Sequence, residues 1–431
     1  MISIEYLRNN YKEAKKSLSS KGAIDGLDEI ISIDKDYRKI LMNVNDLRAD
    51  RNKTSDEIAE LKKSGEDADD KIISMRTVSE KIKDIENELS TKKEKIDELL
   101  LNLPNIPHES VPEGINQDDN KIVSPWGEDP KKDFTLKTHI EIGKSLNLFD
   151  FERSAKISGS GFPLLIGKGA LLERALINFM LDTQTIENNY IEIFPPFLVN
   201  SDSVLTTGNL PKFSEDMYHS EIDNLWLIPT AEVPITNIHK NEILSEDDLP
   251  KKYTAYSACF RREAGSYGKE TKGFLRLHQF NKVELVQFTH PKDSYKILED
   301  LTFHAEMILQ ALNLKYRKVE LCTGDLSFSA AKCYDLEIWA PTEKKWLEVS
   351  SCSNFEDFQA RRGNIRFRRS DNNKVEFVHT LNGSGLATPR LLVALLETYQ
   401  NSDGSVAIPD CLQDYITVSY THLTLPTIYS V

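Results

Sequence analysis

The chain of 431 residues is poor in cysteine, has no long apolar run and carries no surplus of positive charge. Its five cysteines (Cys259, Cys322, Cys333, Cys352 and Cys411) fall in no paired metal-ligand spacing. That pattern argues against a zinc module or a disulfide framework and for reduced thiols in a cytoplasmic protein. The N-terminal run MISIEYLRNNYKEAKKSL has no apolar stretch, so neither a signal peptide nor a membrane anchor is expected. The net charge of −14 lacks the basic footprint usual for nucleic-acid binders, and charge alone argues against that class. No internal repeat is visible.

What is present is enough chain for two or three domains, with 39% hydrophobic residues to build their cores. Residues 1–26 read as a short helix and a loop ending at Gly22 and Gly26. The period then changes. Ile33, Tyr37, Ile40, Val44, Leu47, Arg51, Thr54, Ile58 and Leu61 recur in steps of four and three, the spacing of a coiled-coil seam. After a polar turn, SGEDADD at 64–70, a second seam runs Met75, Val78, Ile82, Ile85, Leu89, Lys92, Ile96, Leu99, Leu103. Two seams joined by a short turn predict an antiparallel helical hairpin over about 27–103. Each arm is roughly 50–60 Å long at ~1.5 Å per residue, too long to be enclosed in a globule. Residues 27–103 hold 15 Lys and Arg against 20 Asp and Glu. On these residues alone a spacer or dimerising coiled coil is the simpler reading. The clusters Lys62/Lys63 and Lys92/Lys93/Lys95 are nonetheless able to meet phosphates.

Pro104, Pro107 and Pro112 end the second helix and mark 104–120 as a linker. Beyond it, 121–415 mixes strand runs with few crossover helices, which predicts an α+β domain on an antiparallel sheet. Helices are expected at 169–188, 292–312 and finally 388–400, and a strand interrupted by Pro195 and Pro196 at 191–199.

The most telling stretch is YTAYSACFRREAGSYGKETKGFLRLHQFNKVELVQF at 253–288. Successive side chains of a strand face opposite sides. In the second run one face is Arg276, His278, Phe280, Lys282 and Glu284, the other Leu275, Leu277, Val283 and Leu285. In the first run Arg261 and Glu263 share a face while Phe260 points away. Paired strands with cations, a ring and carboxylates converging on one side suit an anionic, ring-bearing ligand such as a nucleotide.

That segment resembles motif 2 of class II aminoacyl-tRNA synthetases, in the form found in bacterial seryl-tRNA synthetases. Three more segments resemble the same family in the same order: LNLPNIPHESVPEG (101–114) its interdomain junction, IPTAEVPITN (228–237) its serine-binding TAE loop, and LNGSGLATPRLLVALLE (381–397) motif 3. The resemblance spans roughly 1–415. It implies an N-terminal tRNA-binding domain (1–103), a class II antiparallel catalytic domain flanked by helices (121–415) and a homodimer with Pro195 and Pro196 near its interface. The implied activity is ATP-dependent ligation of L-serine to tRNA(Ser), and by analogy tRNA(Sec), through seryl-adenylate. The hairpin would then bind the long variable arm of the tRNA by shape.

Carried over residue by residue, Arg261, Arg390 and Glu348 are the implied catalytic groups. Arg261 would meet the α-phosphate and the serine carboxylate, and Arg390 the γ-phosphate. Thr230, Ala231, Glu232, Glu284, Asn382 and Ser384 match serine-binding positions. Arg262, Glu263, Phe280, Val349, Ser350 and Ser351 match ATP-binding ones, with Phe280 stacking on adenine. Glu348 and Ser351 are the implied Mg²⁺ ligands, hard oxygen donors able to act with substrate phosphates. The Gly- and Lys-bearing loop 264–274 suits the acceptor end of tRNA or closure over ATP. His278 receives no role. Residues 416–431 (ITVSYTHLTLPTIYSV) resemble no part of the family and read like translated adapter DNA or a frameshifted end. The main rival reading is a non-catalytic class II paralogue serving as a binding module. It predicts damage at Arg261, Glu284, Glu348 or Arg390, and all four are present.

Overall fold

The computed structural model describes residues 1–22, 25–264, 273–416 and the backbone of 422–423. It divides into two compact units, Met1–Pro104 and Asn105–Val431.

The first unit contains α1 (Ile4–Asn9), α2 (Tyr11–Ser20), α3 (Leu27–Ser64) and α4 (Asp69–Leu101). The one helix expected before Gly22 is two, because Asn10 leaves helical geometry at φ −123°, ψ 36°. α3 has 38 residues and α4 has 33, about 57 and 50 Å at ~1.5 Å per residue. Gly65 ends α3 in the left-handed region and its N–H returns to the Leu61 carbonyl, the usual helix stop. Val44, Ile82 and Leu89 are buried between the arms, with Tyr37, Ile40, Leu47, Val78 and Ile85 packed around them. Those are seam positions read from the sequence. Leu41 joins them from beside the seam. The ion pairs Arg48–Glu86 and Lys71–Glu57 cross between the arms at 2.6 and 2.5 Å.

The second unit is built on a sheet of eight strands: β1 (Lys121–Trp126), β2 (Ile191–Glu192), β3 (Lys251–Phe260), β4 (Gln279–Thr289), β5 (Tyr316–Glu320), β6 (Lys332–Ala340), β7 (Lys345–Asn354) and β8 (His379–Ala387). Their order is β1-β5-β6-β7-β8-β4-β3-β2. Every pairing is antiparallel except β2 with β3. Helices α5 (Lys168–Asp182), α6 (Ser294–Ala311) and α7 (Thr388–Tyr399) supply the main helical packing. Leu298, Leu301 and Ile308 of α6 and Leu391–Leu396 of α7 share one core with Val283 and Leu285 of β4. A Cβ at Gly383 of β8 would stand 2.4 Å from Leu301 Cδ2, so any side chain there would have to displace the end of Leu301 that packs over it.

Three expected elements differ in detail. The helix foreseen over 169–188 leaves α geometry after Asp182 and continues as a π turn, Thr183–Glu187. There the hydroxyls of Thr183 and Thr185 bond back to the carbonyls of Phe179 and Leu181. The 191–199 strand splits at its prolines: Ile191–Glu192 edges the large sheet and Leu198–Asn200 joins a separate three-stranded one. A short helix, Asp410–Gln413, follows the helix expected to be last.

The stretch after Pro104 is tied into the second unit. Asn105 Nδ2 donates to the carbonyls of Ser329 and Phe355, His108 N–H donates to Ala331, and Val111 packs with Leu321 and Cys333. Val406 and Ala407 pair with Leu423 and His422. Among the described residues no helix is long and apolar enough to cross a membrane.

Candidate active site

β4 sets the site. Its odd positions Val283 and Leu285 enter the core under α6 and α7, so Phe280, Lys282 and Glu284 face the other side by alternation. They line a cavity of about 740 Å³ together with Thr230, Glu232, Arg261, Glu263, Arg276, Glu348, Val349, Ser351, Asn382, Ser384 and Arg390. The same face turns apolar at Val286 and Phe288, which join a second core with Ala231 and Ile235. The polar strip is therefore one end of an otherwise greasy strand.

Glu284 is the hub. It is fully buried and ion-paired to Lys282 on its own strand. Thr230 Oγ1 donates to its Oε2 at 3.0 Å and Asn382 Nδ2 to its Oε1 at 3.3 Å. Ser384 stands opposite it in the β8–β4 register. Glu232, at the start of a one-turn helix (Glu232–Thr236), also borders the cavity. Burial, reinforced by the negative charge of Glu284, pushes its carboxyl up to about 7, against the opposing pull of Gln359, Lys282 and Arg261.

β3 ends at Phe260, so Arg261 and Glu263 do not owe their shared direction to strand alternation. Glu263 takes φ +52°, a left-handed conformation uncommon outside glycine. From there its carboxylate accepts from Arg276 Nη1 at 2.8 Å. Arg261 lies over the Phe280 ring, its guanidinium carbon 5.1 Å from the ring centroid, and donates to the Pro229 carbonyl. β4 likewise begins only at Gln279. The two-faced pattern read for 275–278 is therefore not strand alternation, and Leu275 and Leu277 line the cavity beside Arg276.

On the far side Arg390 follows Thr388 and Pro389 at the start of α7. It donates to the Glu348 carbonyl at 2.7 Å and stands 3.8 Å from the Glu348 carboxylate. Thr388 Oγ1 and Asn281 Nδ2 both donate to the buried Glu173 of α5, which ties the start of α7 to β4. Ser351 borders the cavity with its hydroxyl 3.1 Å from the Cys333 thiol.

Three sequence-assigned residues, Ala231, Ser350 and Arg262, sit elsewhere, and His278, which was assigned no role, lies beside the site. Ala231 is buried in the apolar core and offers the cavity no side chain. Ser350 points into the sheet and donates to the Ser384 carbonyl at 2.6 Å, prolonging the β7–β8 link beyond its ladder at Cys352–Asn354. Arg262 is exposed and lies over the Tyr218 ring, outside the cavity lining. His278 is a brace: its Nδ1 lies 3.0 Å from the Arg261 carbonyl and its ring packs on Phe162. Most of the loop 264–274 lies outside the described residues. Sequence reasoning put Arg276 and Lys282 on the ligand-facing side without giving them a role, and left Leu277 and Gln359 out of the site. The alternation on β4 signalled Lys282, but nothing local marked Gln359.

Two family descriptions match the chain: the seryl-tRNA synthetase N-terminal domain over residues 1–107 and the tRNA synthetase class II core domain (G, H, P, S and T) over 213–399. A serine–tRNA ligase of Chlorobaculum parvum is 54% identical over 420 residues, covering 96% of this chain and 98% of that protein. The seryl-tRNA synthetase of Pyrococcus horikoshii, solved in complex with ATP, superposes with a TM-score of 0.93 at 39% identity, over 99% of this chain and 100% of that one. A cytoplasmic serine–tRNA ligase of Naegleria fowleri in complex with AMP gives 0.88 at 28% identity, over 99% of both chains. With the core motifs gathered on one cavity and relatives matching over nearly their whole length, the chain belongs to the seryl-tRNA synthetase family.

Proposed function

We propose that this chain activates L-serine with ATP to seryl-adenylate and pyrophosphate and then transfers serine to the terminal adenosine of tRNA(Ser). The observation that carries the reading is one cavity holding both halves of the chemistry: Glu284, Thr230, Asn382, Ser384 and Glu232 beside Arg261, Phe280 and Arg390. Activation brings two anions together, so its cost is mainly positioning and electrostatics. Arg261 holds the serine carboxylate against the α-phosphate and stabilises the charge that develops there. Phe280 receives the adenine ring, and Arg390 the terminal phosphate. In the second step the tRNA hydroxyl attacks the seryl carbonyl and AMP departs.

Selectivity follows from the hub at Glu284. A site built to hydrogen-bond the serine hydroxyl rejects alanine, whose binding leaves buried polar groups unpaired. The donor set at Glu348 and Ser351, a half-exposed carboxylate and a hydroxyl on the cavity wall, fits Mg²⁺ accompanying ATP. Held by these two residues, Mg²⁺ would supply positive charge to offset that of the phosphates.

The further readings rest on the family: a cytoplasmic homodimer with Pro195 and Pro196 near its interface, tRNA(Sec) as a second substrate, and the hairpin as the arm that holds the tRNA. A non-catalytic paralogue is the weaker reading, because the cavity keeps each charged group that activation requires. Aminoacylation of tRNA(Ser) and tRNA(Sec) transcripts with labelled serine tests the proposal. Charging of tRNA(Ser) supports it. A folded protein that charges neither transcript refutes it.

A further inference from the structure

Gln359 is assigned no part by the motifs, yet it touches one of the two acids of the amino-acid pocket. It lies on the short helix Phe358–Gly363 and is 1% exposed. Its Nε2 donates to Glu232 Oε1 at 2.6 Å and reaches the Thr207 carbonyl at 3.4 Å. Its Oε1 accepts from Thr380 Oγ1 at 2.7 Å. Arg362, on the same helix, donates to the carbonyls of Leu205 and Leu210 and fixes that helix against the 205–210 segment.

The amide is thus held at both ends. Reversing it would set its oxygen against two acceptors, the Glu232 carboxylate and the Thr207 carbonyl. A short N–H···O⁻ bond of this kind favours the ionised acid and fixes its direction. One carboxylate oxygen of Glu232 is taken up by Gln359 while the residue borders the cavity. That leaves the other oxygen to meet a cation. The charged neighbours of Glu232 are Glu284 and Lys282 from β4 and Arg261 from beyond β3. Glu284 opposes ionisation and the two cations favour it. Gln359 is the neutral member of the set and the one that touches Glu232 without any other part in the cavity.

We infer that Gln359 is a positioning residue for amino-acid recognition: through its amide, braced by Thr380, it keeps Glu232 ionised and aimed at the α-ammonium group of the substrate. The inference rests on the reading of the cavity as a serine site, with Glu232 as the ammonium partner. Without the amide, burial and Glu284 act on Glu232 with less opposition. Its carboxyl then titrates higher, and binding of the ammonium at neutral pH weakens.

The test is serine-dependent pyrophosphate exchange by the full-length protein between pH 6 and 9.5. Gln359→Met keeps the side-chain volume and removes the donor. It should raise the KM for serine about fivefold at pH 7, because moving a titration from about 7 to roughly one unit higher leaves ~9% of the carboxyl ionised there against ~50%, with the KM for ATP changed less than about twofold. The loss should recover toward pH 9, because the acid limb of kcat/KM for serine moves upward. Thr380→Val, which leaves the donor but frees its brace, should move the same limb less, and it stands in if Gln359→Met does not fold. A serine KM raised equally at all pH values, or raised together with that for ATP, would overturn the inference by reducing Gln359 to a packing residue. Glu232→Gln separates the two levels. If it leaves the serine KM unchanged, the ammonium assignment itself is wrong. If it abolishes serine binding while Gln359→Met leaves the pH profile in place, only the role of Gln359 is wrong.

Discussion

The helical hairpin and the cavity treat their charges in opposite ways. Along α3 and α4 the acids and bases lie mostly in water and pair locally, as in Lys93–Asp97 and Arg76–Glu80 four residues apart. Exposed pairs of this kind contribute about 0–1 kcal/mol each. The arms are held instead by the seam around Val44, Ile82 and Leu89. In the cavity the reverse holds. Glu284 and Lys282 are both buried, and Glu232 is desolvated far enough to titrate near 7. Such groups are costly to bury and disruptive when one partner is removed. The difference marks a division of labour: the hairpin spends apolar surface on shape, and the catalytic unit keeps stored electrostatics for one small substrate.

That contrast can be broken at either end. The largest effect is expected at Glu284. Glu284→Ala should remove serine-dependent exchange while ATP still binds, as read by nucleotide titration, and should destabilise the fold by about 3–5 kcal/mol because Lys282 is left buried and unpaired. Retained serine activation would refute the hub. Arg261→Ala should lower the exchange rate about a hundred- to a thousandfold, the usual cost of losing one donor that stabilises transition-state charge. Its melting temperature should stay near that of the parent, since the Arg261 side chain makes one hydrogen bond, to the Pro229 carbonyl, and a ring contact.

Val44→Asp sharpens the other side. A carboxylate in the hairpin seam should loosen α3 from α4 and cut tRNA charging by about tenfold or more, a loss of ~1.4 kcal/mol in binding. Exchange without tRNA should be unchanged. Equal loss of both activities would deny that the two units have separable tasks. The smallest effect is expected at the exposed pair Arg48–Glu86: Arg48→Ala should change stability by less than about 1 kcal/mol, measured by thermal unfolding.

The two regions also differed in how far the sequence revealed them. The hairpin was legible because its stability is one-dimensional: each seam residue is three or four positions from the next, and the period names the partners. The break at Asn10, the added Leu41 and the buried Leu27, Ile30 and Leu100 escaped it. Glu284, by contrast, is satisfied by Thr230 and Asn382, separated from it by 54 and 98 residues. No local period connects such residues, so those contacts became visible through motif resemblance. The resemblance was carried over as whole blocks, and one member of a block lies off the cavity lining: Ser350, between the lining residues Val349 and Ser351, donates to the Ser384 carbonyl. Where alternation was extended past the strand ends, at 261–263 and 275–278, irregular backbone replaced it. Gln359 left no signal because its partners Glu232, Thr207 and Thr380 come together only in the folded chain.

The most direct test of the account is ATP–pyrophosphate exchange, without tRNA, by the full chain with each of the twenty amino acids in turn. Exchange dependent on serine, with alanine and threonine far behind, is the predicted result. Exchange with another amino acid, or none from a folded protein, would contradict the assignment of the cavity.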